Sequence, residues 1–250
     1  YKGTEKGTAP LGLDPDCDLE AYQARCQEID DYAKELSSQV KAGTLKTAEA
    51  KEKLSHFIDQ NHPRNFVNTV SIEKGSVIDL SQGGIHHSWE KVADSTLGNV
   101  VYEVQQDVKD QVSTLRSFDQ GKIKDDGSTR ELTIEDYFKI IDSDPSHNDP
   151  TKLVANVATA DHNQAQVKTL FATPYYGLTE VTFSGSYAPQ NQARTFQHLF
   201  TKAGDVQVQW NDRTWKLPKG WSLFIPSDVT DFSLKSSKEA VVLITTPSSK

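Results

Sequence analysis

Residues 70–116, VSIEKGSVIDLSQGGIHHSWEKVADSTLGNVVYEVQQDVKDQVSTLR, restrict the fold more than any other part of the chain. The stretch opens on an alternation of apolar and polar residues, which sends successive side chains to opposite faces of a strand. Glu73-Lys74-Gly75 then reads as a tight turn and residues 77–80 as a second, apolar strand. Gly83-Gly84 makes a corner before His86 and His87. After a polar loop, residues 99–105 read as a third strand carrying Glu103 inside an apolar run. An imidazole just past a glycine corner and a carboxylate on a neighbouring β-segment are ingredients of a metal-assisted or acid–base site. Two ligand-type residues do not by themselves specify a metal.

The period is different upstream. Residues 1–16, rich in Gly, Pro and charge, read as the end of a strand followed by a loop. Asp18 is a fitting N-cap for a helix from Leu19 to about Lys41. Leu19, Tyr22, Cys26, Ile29, Ala33, Leu36 and Val40 recur at helical spacing and form one apolar stripe. Gly43 ends that helix, and Thr47 opens a second, to about Gln60, with Ala50, Leu54, Phe57 and Ile58 inward. The pair, residues 19–60, reads as a helical insertion packed on a sheet.

Downstream of Arg116, the Asp126-Gly127 turn precedes a short strand at 130–134 and a short helix at 135–141. The polar, proline-containing segment 142–151, DSDPSHNDPT, marks the expected domain boundary. Beyond it the chain is almost purely β in character. Strands are predicted at 168–172, 177–183, 196–201, 206–210, 213–217, 221–225, 232–234 and 240–245, with Asn211-Asp212 as a hairpin turn.

Size and charge bound what such a chain does. Its 250 residues suffice for one large or two medium domains. A net charge of −8 argues against nucleic acid or an anionic membrane as partner, while a local basic cluster can still hold an anionic small molecule. No apolar run is long enough to cross a bilayer, and no signal-peptide core opens the chain. Cys17 and Cys26 show no metal-ribbon spacing, so a reducing, cytoplasmic setting is expected.

Several of these segments, in order, resemble one family. EKGSVIDLSQGGIHH is similar to the cupin turn of type I mannose-6-phosphate isomerases, which ends on a zinc-binding His. Val-Tyr-Glu-Val-Gln-Gln resembles that family's Leu-Glu-Ile-Gln-Gln strand. Thr114-Leu115-Arg116 and Arg130-Glu131-Leu132-Thr133 resemble two further segments in the right order. Near the end, LPKGWSLFIPS looks like a second cupin corner, reaching Asp231 rather than a His. The resemblance covers about residues 66–250 and implies a mainly β chain of two cupin (jelly-roll) barrels. On this reading residues 1–145 form a metal-type cupin domain carrying the helical insertion, and residues 146–250 a second, metal-free one.

The resemblance also implies roles. His86 matches the metal-binding His, in competition with a solvent-facing His pair in a loop. His87 faces the other way. Glu103 is implied as the group moving a proton between C1 and C2 of a sugar, in competition with an outward, solvated carboxylate. Arg116 matches an Arg whose fixed donor fork holds a phosphate or steadies an enediolate oxygen. Lys122 and Lys124 lie where the family has basic phosphate-contacting residues, although lysines in a Gly/Asp loop are commonly just solvated. Gln60-Asn61-His62-Pro63 spells the family's Gln-x-His-Pro ligand motif, but after the helical insertion instead of before it. A helix terminus explains that tetrapeptide without a function.

The family's zinc site uses a Gln, two His and a Glu. Only His86 is matched here, so the other ligands are expected upstream of Tyr1. The implied activity is metal-dependent interconversion of mannose 6-phosphate and fructose 6-phosphate through a cis-enediol, with a sugar phosphate as the small-molecule partner. The alternatives are a non-catalytic sugar-binding or regulatory cupin and an isomerase of a different sugar.

Overall fold

The computed structural model describes residues 6–80, 85–86, 101–105, 115–118, 122–155, 157–162, 165–190 and 195–248. The chain divides into two compact units: residues 1–76 with 82–153, and residues 77–81 with 154–250.

In the first unit β1 (Lys6–Leu13) pairs antiparallel with β2 (Val67–Glu73), from Lys6 opposite Glu73 to Leu13 opposite Val67. Between them run α1 (Leu19–Lys41) and α2 (Thr47–Asn61). The Asp18 carboxylate caps α1, accepting from the amides of Glu20 and Ala21 as the sequence anticipates. Tyr22, Cys26, Ile29, Ala33 and Leu36 are buried along one stripe of α1, facing Ala50, Leu54 and Ile58 of α2. The Tyr22 ring stacks on Phe66 at 4.9 Å and meets Phe138 edge-on at 5.1 Å, so α1, the turn Pro63–Phe66 and α3 (Ile134–Ile140) share one core. His62 takes the left-handed cap position of α2 (φ 46, ψ 47), its amide donating to the Ile58 carbonyl. The Gln-Asn-His-Pro run is thus a helix terminus.

The segment predicted as the boundary forms two single helical turns, α4 (Pro145–Asn148) and α5 (Pro150–Leu153), and it is tied to β1. Asn148 is only 4% exposed. Its Oδ1 accepts from the Leu13 amide at 2.9 Å, and its Nδ2 donates to the carbonyls of Asp142 and Asp144 at 2.8 and 2.9 Å. Gly12, at φ +78, lets β1 approach this turn: a Cβ there would lie 2.1 Å from the Asn148 carbonyl oxygen.

The second unit is an eight-stranded antiparallel sheet. Its strands are β3 (Ala158–His162), β4 (Ala165–Ala172), β5 (Tyr176–Tyr187), β6 (Gln197–Ala203), β7 (Asp205–Trp210), β8 (Arg213–Pro218), β9 (Ser222–Ile225) and β10 (Ser233–Pro247). The spine is β10. Along one edge it pairs with β5 over nearly its whole length; along the other its start pairs with β7 and its end with β6. The sequence splits β10 in two, at 232–234 and 240–245. The register shift between Ser236 and Ala240 explains why, since the polar residues there leave the ladder without ending the strand. Val181, Leu199, Val206, Val208, Leu217, Leu234 and Val242 are almost fully buried inside the sheet. Each is worth roughly 1.5–3 kcal/mol in buried apolar surface. Asn211, at φ 51, turns β7 into β8 where the hairpin was predicted.

Among the described residues, three predicted strands are not regular strands. Residues 77–80 make an isolated bridge, Ile78 to Val154, with the Ala155 amide donating to Val77 O. Of the predicted strand at 99–105 the structure describes residues 101–105, which join no ladder among the described residues. The predicted strand at 130–134 is irregular and runs into α3, which begins at Ile134. No helix among the described residues is long and apolar enough to cross a membrane.

Candidate functional site

All five candidate residues belong to the first unit. His86 lies where the chain runs antiparallel to β1: Leu11 bridges to His86, and the Gly12 amide donates to Ile85 O at 2.6 Å. Ile85 turns inward and is buried, which sends the neighbouring imidazole of His86 outward, where it is exposed. Its companion His87 lies outside the described residues. Residues 101–105 keep the alternation read from sequence, with Tyr102 and Val104 half-buried and Glu103 exposed with Val101 and Gln105.

Arg116 is half-buried and fixed at its backbone. Its amide donates to the Thr133 hydroxyl at 3.0 Å, and the Thr133 amide donates back to Arg116 O at 3.1 Å. Ser117, fully buried, and Phe118, in the core, follow directly. The Ser117 hydroxyl lies beside the phenols of Tyr22 and Tyr137 and the thiol of Cys26. Burial pushes the Tyr137 phenol and the Cys26 thiol up to about 12 and the Tyr22 phenol well above its usual range, with Ser117 acting in the opposite direction on each.

Lys122 and Lys124 flank Ile123, which is 2% exposed and packs in the core, and both lysines are exposed. Lys124 closes the 124–128 loop through its backbone, its amide donating to Ser128 O. Lys122 lines a small crevice with Asp30, Ala33 and Arg130.

A zinc site needs about four N, O or S donors held together. Among the described residues no three His, Cys, Asp or Glu side chains converge, and His86 is exposed. The described donors alone therefore do not amount to a zinc site.

Sequence reasoning missed two features. One is a cleft of about 500 Å³ between the end of β1, the start of α1 and the α4–α5 turns, lined by Asp14, Cys17, Asn68, Ser143 and Asp149 among others. Burial, with Asp14 and Asp18 beside it, pushes the Cys17 thiol up to about 11. The other is Thr133. The signal was present in Arg-Glu-Leu-Thr just before a helix, where a Thr is ordinarily read as a cap and nothing more.

This architecture is a mainly β fold of the cupin (jelly-roll) type. A scan against protein-family models finds no match, and neither does a search of curated proteins. Among solved structures, mannose 6-phosphate isomerase from Bacillus subtilis is similar over 97% of this chain, with a TM-score of 0.53 and 13% sequence identity. The similar region is 61% of that chain, so this sequence spans under two thirds of its length. A RmlC-like cupin from Shewanella frigidimarina is similar over 37% of this chain and 84% of its own, at TM-score 0.33 and 16% identity. A cupin superfamily protein from Desulfitobacterium hafniense is similar over 36% of this chain and 82% of its own, at TM-score 0.30 and 13% identity. Likeness at such identity speaks to fold alone.

Proposed function

We propose that this protein is an aldose–ketose isomerase with mannose 6-phosphate and fructose 6-phosphate as its substrate pair. The observation that carries the reading is the extent of the likeness to the Bacillus subtilis isomerase, which covers 97% of the chain. The order of the motifs around His86, Glu103 and Arg116 supports the same reading.

The reaction moves one proton between C1 and C2 through a cis-enediol. Glu103 is the carboxylate assigned to that transfer, taking the proton from one carbon and returning it to the other. The Arg116 guanidinium steadies the oxygen on which charge develops, and its anchored backbone restricts where that charge is met. Lys122 and Lys124, both exposed, are assigned to the phosphate. A divalent metal, when bound, supplies Lewis-acid polarisation of the substrate oxygens. His86 is the ligand assigned to it here, and the remaining ligands are assigned to residues beyond those described.

The test is conversion of mannose 6-phosphate to fructose 6-phosphate, by zinc-loaded and chelator-treated protein, with free mannose in parallel. Activity on the phosphorylated sugar that chelation removes and zinc restores is the expected result. Equal rates with and without chelator overturn the metal role. Turnover of free mannose alone transfers the reading to an isomerase of an unphosphorylated sugar.

A second reading, a non-catalytic sugar-binding cupin, is favoured by one observation: no three ligating side chains converge among the described residues. Sugar binding by calorimetry without turnover, and without about one metal per chain, selects it.

A further inference from the structure

Thr133 stands at the N-cap of α3 but does not cap it: its hydroxyl accepts from no amide of that helix. A Thr in this position normally accepts from the second or third helical amide. Here the hydroxyl instead accepts the Arg116 amide, 17 residues away in sequence, at 3.0 Å. The Thr133 amide closes the second bond to the Arg116 carbonyl, at 3.1 Å. The helix start is given up to hold one backbone position, and that position carries Arg116. The following residue is fixed as well, because Ser117 is fully buried among Tyr22, Cys26 and Tyr137. Departures from local helix rules of this kind gather where a site requires them.

We infer that Thr133 is a positioning residue for Arg116, setting through its hydroxyl the point from which the guanidinium reaches the substrate. The inference rests on the role proposed for Arg116. The Thr133 carbonyl accepts from the Tyr137 amide at 2.8 Å but its hydroxyl makes no bond to α3, so removing the hydroxyl leaves that helix start as it was. Valine has the shape of threonine without the acceptor, and serine keeps the acceptor without the methyl.

The experiment compares Thr133→Val, Thr133→Ser and Arg116→Lys in the full chain, reading kcat and KM for mannose 6-phosphate together with amide hydrogen exchange at Arg116. Thr133→Val is expected to lower kcat about tenfold, with KM changed less than about twofold, since a misaimed group costs rate before binding. Its Arg116 amide exchanges faster. Thr133→Ser restores both readings to near those of the unmodified chain, which a purely space-filling role for the methyl does not allow. A Thr133→Val chain with unchanged kcat and unchanged Arg116 exchange overturns the inference, as does a Thr133→Ser chain as slow as Thr133→Val. If Arg116→Lys retains full activity, the proposed role of Arg116 fails instead. If Arg116→Lys is inactive while Thr133→Val is normal, only the positioning inference fails.

Discussion

Replacing Asn148 with alanine tests how the 142–150 segment is held. The side chain makes three hydrogen bonds from a site 4% exposed: one accepted from Leu13 N and two donated to the carbonyls of Asp142 and Asp144. The loss is uneven. Leu13 is itself buried, so its orphaned amide costs about 1–3 kcal/mol. Asp144 is exposed and Asp142 half-buried, so water replaces the lost donors there at roughly 0.5 kcal/mol each. The sum, about 2–4 kcal/mol, lowers the unfolding midpoint of the first unit by roughly 4–16 °C. Differential scanning calorimetry measures the shift, and amide exchange at Leu13 locates it. Asn148→Asp refines the test, because it keeps the acceptor for Leu13 but sets a carboxylate oxygen against two carbonyls. Burial and those carbonyls raise the folded-state pKa of the new acid above its unfolded value, so the protonated form favours folding. The Asn148→Asp chain is therefore expected to recover stability relative to Asn148→Ala as pH falls from 7 towards about 4. A loss under about 0.5 kcal/mol for Asn148→Ala, or an Asn148→Asp chain that weakens further on acidification, refutes this account of the turn.

Two further perturbations act on the same region. Gly12→Ala places a side chain at φ +78 with its Cβ 2.1 Å from the Asn148 carbonyl oxygen, so the backbone itself must shift. A loss of at least about 3 kcal/mol is expected, and an unchanged unfolding midpoint contradicts the close approach. His147 Nδ1 lies 2.6 Å from Asp142 Oδ2, and that hydrogen bond, with the charge of Asp142, holds the imidazole above its ordinary range. Asp142 is held below its ordinary range, first by the Asp144 amide and then by His147. The His147 contribution is present below the unfolded-state value and is lost as pH rises through the raised folded one. The Asp142 contribution is present above its unfolded value and is lost as pH falls through the lowered one. An NMR titration of Asp142→Asn should show His147 titrating lower than in the unmodified chain; an unmoved titration contradicts the pairing.

Much of this architecture was legible because it rests on local rules. Asp18 capping α1, the apolar stripe from Tyr22 to Leu36, and the strand alternation after residue 165 all express periods of 3.6 or 2 that need no partner to be read. The misreadings share a physical cause. Alternation says which way side chains point and not whether a second strand lies alongside. Residues 77–80 therefore carry a strand pattern with only an isolated bridge, and residues 101–105 one without a ladder among the described residues. In β10 the opposite occurred: a polar interruption that looks like a strand end is a bulge, because β5 continues pairing on both sides of it.

The candidate site divides along the same line. Residue type and motif order pick out His86, Glu103 and Arg116, since imidazole, carboxylate and guanidinium are chemically distinctive wherever they stand. The groups that fix the backbone are not distinctive. Asn148 lies in a run that reads as solvated connector, and Thr133 in one that reads as strand, yet each makes a hydrogen bond to a residue far away in sequence. A polar side chain becomes buried through contacts that only the folded chain supplies, and burial is what turns an ordinary Asn or Thr into a constraint. Thr133 shows the consequence most directly, because its place just ahead of α3 offers its hydroxyl to that helix while the tertiary fold assigns it to Arg116.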